Sequence, residues 1–245
     1  MPIRRRPIAG NNVPPAAQLA LKEESVLKNV RIWFKKIGTA RFISHLDLNR
    51  CMLRAIHKAK IPLWYTQGFN PHAFITFALP LSLGIAGERE SMDIRLEDTE
   101  LTREELISRL NAALPDDIPV FDATEPVMKP GEIAYASFIM ELETENICAE
   151  EAVSRIKGML EQENIIVPKH TKSGIVDLDI KPFLRKTEIA PKTGLIEIQT
   201  VLPAGSNMNV NPLLICDAIK TYLKLDFYAD IKRTNLYNAD FQIFV

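Results

Sequence analysis

The sequence predicts an α+β protein made of two tandem ferredoxin-like units, each with the element order β-α-β-β-α-β and an antiparallel sheet. The chain has 245 residues, which gives room for two domains of roughly 100 residues each. Short segments with alternating apolar residues, typical of strands, are interspersed with longer segments of helical periodicity. The same order of segments occurs twice, and such units place two helices on one face of a sheet.

The first half of the chain supplies one series of these elements. Alternating apolar residues predict strands at Val30–Phe34, Ala73–Leu79, Ser91–Leu96 and Ile118–Ala123. Ser44 is the expected cap of a helix that runs to about Lys60, just before a proline. Thr102 and Glu105 form a capping box that opens a second helix, and this helix ends before Pro115.

The second half repeats the order with different residues. Strands are predicted at Tyr135–Leu142, Ile175–Ile180, Leu195–Leu202, Phe227–Ile231 and Phe241–Val245. Apolar residues at helical spacing predict a helix over Ala149–Gln162. Asn211 as cap and Pro212 at the first helical position open a last helix that ends near Leu223.

Prolines and glycine mark the domain boundaries. Pro126, Pro130 and Gly131 separate a basic unit at 28–128, which contains the two motifs described below, from an acidic unit at 133–245. Residues 1–27 are rich in Pro, Ala, Asn and Arg, and this composition predicts a flexible N-terminal arm.

Charge is distributed unevenly between the two ends of the sequence. The net charge is −1, yet residues 1–75 contain 13 Lys or Arg and only 3 acidic residues. The remaining residues are correspondingly acidic. This segregation indicates an anionic partner for the first part of the chain. The alternative is that the two parts neutralise each other across an interface.

The sequence predicts neither a metal site nor a cofactor. Cys51, Cys148 and Cys216 are scattered and never form a CxxC pair, which argues against a disulfide framework, a zinc site or an iron–sulfur cluster. The HExxH, GxSxG and phosphate-loop motifs do not occur. No apolar run reaches the roughly 20 residues needed to cross a bilayer, and no secretory signal is recognisable, so we expect a cytoplasmic location without membrane contact.

The first predicted helix combines a basic stripe with an apolar side. The basic residues of the helix recur at three- and four-residue spacing, and they are Arg50, Arg54, His57 and Lys58. Three further cations precede the helix, namely Lys35, Lys36 and Arg41. The expected buried side consists of Leu46, Leu53, Ile56 and Ala59, with Leu48 and Met52. The stripe is either a phosphate-binding surface or an ordinary solvated helix face, and Asp47 could pair with Arg50 or Arg54.

The segment after this helix combines aromatic, amide and cationic side chains. Tyr65, Gln67, Phe69, Asn70 and His72 are the candidate contacts to RNA bases or to a protein partner. Stacking on aromatic rings and hydrogen bonds to base edges are the means by which proteins recognise single-stranded RNA. The same composition also fits a well-packed turn in which the aromatic residues anchor the core.

Two histidines allow an enzymatic alternative. His45 and His72 flank this region, and a histidine pair can cleave RNA by general acid–base catalysis without a metal. The alternative is structural: His45 bonds within the first helical turn and His72 packs against a neighbouring aromatic residue. No residue is assigned firmly as catalytic.

The runs RFISHLDLNR and YTQGFNPHAFITFALPLSLGI resemble a bacterial family of radical-SAM-linked proteins, a domain of unknown function fused to or encoded beside radical SAM proteins. The residues that match its pattern are Phe42, Ser44, His45, Leu46, Asp47, Arg54, Ala55, Gly68, Phe69, Asn70, Pro71, His72, Phe77, Ala78, Leu79, Pro80, Leu81 and Gly84. The sequence departs from the pattern at Asn49, Thr66 and Ala73.

The resemblance implies a working relationship with a radical SAM enzyme and, through it, with modification of tRNA or rRNA. Radical SAM chemistry needs three cysteines, usually spaced CxxxCxxC, to hold its iron–sulfur cluster. The three cysteines of this chain are scattered, so the protein would be the accessory and not the catalyst. The leading hypothesis is therefore an RNA-recognising accessory subunit. A metal-independent ribonuclease and a pure protein-docking module are the alternatives.

Overall fold

The computed structural model describes residues 28–97, 100–171, 174–205 and 208–245. Within these residues the protein is a mixed α+β fold, with four α-helices and a large, mostly antiparallel sheet. The arm predicted for residues 1–27 lies outside the described residues. No helix in the described ranges is long and apolar enough to cross a membrane.

The first half contains four strands and two helices. They are β1 (Lys28–Lys36), α1 (His45–Lys58), β2 (Ile75–Phe77), β3 (Ala86–Leu96), α2 (Arg103–Asn111) and β4 (Val120–Thr124). A short 3-10 helix, Gly38–Phe42, precedes α1. The predicted elements all occur, although β2 is shorter and β3 longer than their apolar patterns indicated.

The second half contributes six strands and two helices. They are β5 (Tyr135–Thr144), α3 (Ala149–Leu160), β6 (Ile166–Thr171), β7 (Gly174–Asp179), β8 (Thr187–Lys192), β9 (Leu195–Pro203), α4 (Leu213–Leu223) and β10 (Phe227–Tyr237). Eight strands form one sheet in the order β4-β1-β3-β10-β5-β9-β8, with β2 paired to β3. All its pairs are antiparallel except β3 with β10.

One predicted strand of the second half belongs elsewhere. The segment predicted at Ile175–Ile180 forms β7, which pairs only with β6 in a separate two-stranded sheet. Ile175 is 63% exposed, so its apolar character does not reflect a place in the main sheet. That place is taken by β8, which alternation did not predict because only Ile189 of its residues is buried.

The predicted last strand, Phe241–Val245, is also wrong. Its only ladder contact within the described residues is a single bridge between Tyr237 and Ile243. Phe241 has φ 59°, in the left-handed region that no strand residue adopts. The chain turns back there, and Phe244 packs its ring against Trp33 with the centroids 6.3 Å apart.

Two apolar clusters follow the two halves. In the first cluster, alternate residues of β1 and β3 pack against the apolar stripes of α1 and α2. Both helices therefore cover the same two strands. In the second, β5 and β9 meet α3 and α4. The stripe of α1 is Leu48, Met52, Ala55 and Ile56. The prediction that Leu46 is buried is wrong, since 57% of it is exposed; it lies in the first turn, on the other side of the helix.

A buried ion pair lies where the two halves meet. Strand β10 pairs with the start of β3 through Lys232 and Arg233. The Arg233 guanidinium forms a bidentate pair with Glu90 of β3, one contact being 2.9 Å, and also donates to the Leu79 carbonyl at 2.8 Å. Both side chains are almost fully buried, so each needs the other to offset the cost of losing water.

Candidate functional site

Helix α1 begins at a well-formed cap. The Ser44 hydroxyl oxygen accepts a hydrogen bond from the Asp47 backbone N–H at 3.1 Å and donates to the Asp47 carboxylate at 2.7 Å. These bonds satisfy one of the free N–H groups of the first turn. The hydrogen bond from Ser44 also holds the pKa of Asp47 below its ordinary value. The predicted cap is confirmed, and it fixes where the basic stripe starts.

The basic stripe borders a cleft between α1 and the end of α2. The cleft has a volume of about 340 Å³, and Arg50, Arg54 and Lys58 line its α1 side. Among the described residues, Asp47 is the only acidic one that lines the cleft, and it pairs with Arg50 at 3.3 Å. Within the described residues, Arg54 and Lys58 form no ion pair. Two of the predicted stripe residues are therefore free to meet an anionic ligand.

The three predicted cations that precede α1 do not join this cleft. Lys36 is buried, and its ammonium donates to the Ile43 carbonyl at 2.9 Å. Arg41 donates to the Gly84 carbonyl at 2.8 Å and pairs with Asp230 at 2.5 Å. Lys35 is half-exposed and pairs with Glu88 at 2.8 Å. Sequence position alone could not separate these internally bonded cations from the free ones.

Burial and the charge of nearby Lys36 both act on His45. Burial lowers the pKa of Lys36, with Glu90 opposing the effect and Arg233 adding to it. Burial and the Lys36 charge together lower the pKa of His45. The His45 ring packs edge-on against Phe77, with the centroids 5.0 Å apart. His45 is thus kept neutral more readily than an exposed histidine.

The segment Tyr65–His72 forms a closed loop. Tyr65 pairs with Ala73 in a single bridge, and the Thr66 N–H donates to the His72 carbonyl at 2.9 Å. The Thr66 hydroxyl lies 3.0 Å from His72 Nδ1 and accepts from the His72 N–H at 3.1 Å. At its tip Phe69 is fully exposed, so it does not serve as a core anchor.

The rest of the loop lies partly at the surface and partly against α1. Gln67, Asn70 and His72 are exposed, whereas Tyr65 is half-buried. The Tyr65 hydroxyl lies 3.0 Å from Nε2 of His57, the stripe residue nearest the loop. This contact joins the loop to the last turn of α1, so the stripe and the loop form one continuous region.

His45 and His72 make separate contacts in the structure. The ring of His45 lies against Phe77 at one end of β2, and His72 directly precedes Ala73 beyond the other end. The strand spacing from Ala73 to Phe77 corresponds to about 13 Å. His72 also directs Nδ1 at Thr66, inside its own loop. Each imidazole therefore has a contact of its own, and a catalytic pairing of the two histidines stays a prediction.

A second concave region, not predicted from the sequence, lies in the second half. It has a volume of about 570 Å³, and its lining includes Tyr135, Arg185, Lys186 and Phe241. Phe241 stacks on Tyr135 with the ring centroids 4.3 Å apart. These residues are separated by about a hundred positions, so no local sequence signal brings them together.

A comparison with known protein families identifies the family of this chain. Residues 29–212 match a family described as an uncharacterized protein conserved in bacteria, DUF2344. The chain belongs to this family. The match includes α1 and the loop Tyr65–His72, so both candidate features lie within the matched residues. Its description names neither a reaction nor a partner.

Other comparisons add little. No curated protein matches the sequence. An unknown protein from Galdieria sulphuraria is 12% identical, covering 84% of this chain and 98% of its own, with a TM-score of 0.25. A putative glycine cleavage system transcriptional repressor is 10% identical, covering 85% of this chain and 99% of its own, with a TM-score of 0.23. Likeness of this degree carries no functional argument.

Proposed function

We propose that this protein is an accessory subunit that recognises RNA, a tRNA or an rRNA, for a radical SAM modification enzyme. The observation that carries the proposal is the cleft beside α1, where Arg54 and Lys58 face solvent without an ion-pair partner among the described residues. The resemblance noted above supplies the radical SAM partner. The strand orders β4-β1-β3-β2 and β10-β5-β9-β8 support two ferredoxin-like units as its scaffold.

The structure reduces the number of cations available for phosphates. Six cations were predicted to contact RNA, but Lys36 and Arg41 are engaged internally and Lys35 is paired. Within the described part of the chain, Arg54 and Lys58 remain free, and Arg50 lines the same cleft although it pairs with Asp47. Three contacts on a single strand correspond to a log-log salt slope of about −2, whereas six would give about −4. The slope therefore counts the cations that act.

The loop Tyr65–His72 supports base recognition next to these cations. A fully exposed Phe69 presents an aromatic face to solvent, and stacking of a base on such a ring contributes about 1–3 kcal/mol. Gly68, at φ 137°, lets the backbone turn ahead of this ring. Asn70 and His72 are exposed beside it and offer hydrogen bonds to base edges.

A separate apolar patch supports docking of the protein partner. Phe42, Leu46 and Leu83 are each more than half exposed. The Gly84 N–H donates to the Arg41 carbonyl at 2.9 Å, so the segments that carry Phe42 and Leu83 are neighbours. Exposed apolar clusters of this kind are typical of protein interaction surfaces. We assign this patch to the enzyme and the cleft to the RNA.

The test measures RNA affinity of the purified protein with labelled total tRNA and rRNA fragments. The double variant Arg54→Ala/Lys58→Ala is expected to weaken binding and make the salt slope shallower by about 1.4. Phe69→Ala is expected to weaken binding by about fivefold or more without changing the slope. The charge-matched control is Arg155→Ala/Lys157→Ala on α3, whose side chains are also exposed.

Three outcomes would change the proposal. Equal losses in the control and the cleft variant would mean nonspecific charge attraction. No binding to any RNA, with a radical SAM protein still co-purifying from a native host after nuclease treatment, would leave a protein-docking module. Cleavage of RNA in EDTA that is lost in His45→Ala would indicate the ribonuclease.

A further inference from the structure

The second concave region has the composition of a small-molecule site. Its 570 Å³ volume lies within the usual range for ligand pockets, about 300–1,000 Å³. Its walls are mostly apolar, with Phe183, Val201, Pro203 and Met208 beside the stacked pair Tyr135 and Phe241. Such a chamber favours a flat, apolar or aromatic group over a hydrated one.

Phe241 is held in an unfavourable backbone conformation at the mouth of this chamber. Its φ of 59° is unusual for a bulky residue. Asn238 enforces it: the Asn238 side-chain oxygen accepts from the backbone N–H groups of Asp240 at 3.0 Å and Gln242 at 2.9 Å. Residues strained in this way are concentrated at ligand clamps and active sites. Phe241 is also 41% exposed, so burial of its side chain offsets only part of the cost of this backbone conformation.

Two cations stand at the edge of the chamber. Arg185 and Lys186 end a 3-10 helix, Lys181–Lys186, and both are exposed. Lys186 places its ammonium 3.1 Å from the centroid of the Phe241 ring. Within the described ranges neither cation has a carboxylate partner, so both can meet an anionic group of a ligand.

A second groove, of about 560 Å³, shares Arg185 and Lys186 with this chamber as lining residues. Its lining includes hydroxyl pairs, Ser137 with Thr234 and Thr187 with Thr200, each 2.7 Å apart. Each hydroxyl retains hydrogen-bonding capacity beyond this contact. An apolar chamber, a cationic edge and a hydroxyl-lined groove therefore follow one another along the surface.

We propose that this region is a nucleotide-binding site. The base occupies the chamber formed by Tyr135 and Phe241, the ribose spans the rim of this chamber, and the phosphate lies between Arg185 and Lys186. In an RNA strand, the ribose of the next unit faces the hydroxyl groove. The site lies in the second half of the fold, apart from the cleft beside α1, and does not depend on the function proposed for that cleft. Its nucleotide is either free or one unit of an RNA strand.

The experiment titrates the full chain with AMP, GMP, CMP and UMP by calorimetry, and then with a short oligoribonucleotide. We expect saturable binding of at least one monophosphate. Lys186→Ala should lower its affinity about tenfold or more, as the loss of a charge-assisted bond predicts. Phe241→Leu keeps apolar bulk but removes the ring that stacks on Tyr135 and contacts Lys186, and the loss of this aromatic wall should lower the affinity about fivefold or more.

The controls lie on the same sheet outside the cavity. Tyr228→Ala removes an aromatic ring that is 64% exposed, and Lys192→Ala removes a lysine paired with Glu197; neither should change affinity. Binding of the oligomer alone, lost in both cavity variants, would assign an RNA strand as the source. Binding of neither monophosphate nor oligomer at millimolar concentration, or tighter binding of an aromatic carboxylate, would overturn the nucleotide assignment.

Discussion

At the scale of single residues, the internal cations show that the role of a lysine or arginine depends on the groups around it. Lys36 is buried and donates to a backbone carbonyl, whereas Lys58 lies exposed beside the cleft. Burial disfavours a charged ammonium, and the lowered pKa of Lys36 records this cost. A buried cation acts on the charge of groups near it and not on a ligand in solvent.

His45 gives a prediction at this scale. Its pKa in the folded protein is lowered by burial and by Lys36, so the unfolded chain binds the proton more readily. The stability that neutral His45 contributes to the folded protein is present above the unfolded pKa of about 6.5. It is lost as the pH falls toward the folded pKa. We expect an NMR titration of His45 to have its midpoint below the ordinary histidine value of about 6.5.

The variant Lys36→Met tests the cause. Removal of the positive charge should raise the pKa of His45 toward its ordinary value, while burial continues to lower it. An unchanged midpoint for His45 in Lys36→Met would show that the charge contributes nothing.

At the scale of elements, the helix starts differ in the quality of their caps. Ser44 and Thr102 each accept a hydrogen bond from the N–H three residues on, Asp47 and Glu105. Cys148 occupies the same position before α3, with similar backbone angles, but makes no side-chain cap bond. The geometry of a cap is present there without the oxygen that would use it.

The caps therefore predict stability changes of opposite sign. Ser44→Ala should lower the free energy of unfolding by about 1 kcal/mol, because an N–H of the first turn loses its partner. Cys148→Ser should raise it by about 0.5–1 kcal/mol, because the hydroxyl can accept the free N–H. Urea denaturation measures both. A loss of stability in Cys148→Ser would contradict this account of the α3 terminus.

At the scale of the whole molecule, the sheet is continuous because β10 pairs with β3. The contact is short, and the buried pair of Arg233 and Glu90 lies within it. Arg233 also donates to the carbonyls of Leu79 and Pro80, so one side chain from the second half holds three groups of the first. Its removal would leave Glu90 buried without a cation.

The pair predicts strong coupling between two mutations. Arg233→Met alone should lower the free energy of unfolding by about 3–5 kcal/mol, because a buried carboxylate loses its partner. Adding Glu90→Leu should restore part of that loss. Arg109→Ala is the comparison, since its pair with Glu105 is exposed and should contribute under about 1 kcal/mol. Additive effects of the two mutations would disprove the coupling.

Only part of the candidate site could be predicted from the sequence. Sequence reasoning located α1, its cap and the exposed cations of its stripe, because a cap needs residues three apart and a stripe needs only helical spacing. It could not recognise that Arg41 pairs with Asp230, almost two hundred residues away. It also placed Leu46 in the core, since the apolar pattern of one turn does not fix which side faces the sheet.

The sequence by itself determined the local features: the helix starts, most strands, the uneven charge and the motifs that mark the family. Tertiary structure decided which strand pairs with β9 in the main sheet, and that strand is β8 instead of β7. It also brought Tyr135, Lys186 and Phe241 into one cavity. The physical reason is that hydrogen bonds within a few residues and the periods of helix and strand are encoded locally. Pairing partners and cavities depend on chain segments that meet only after folding.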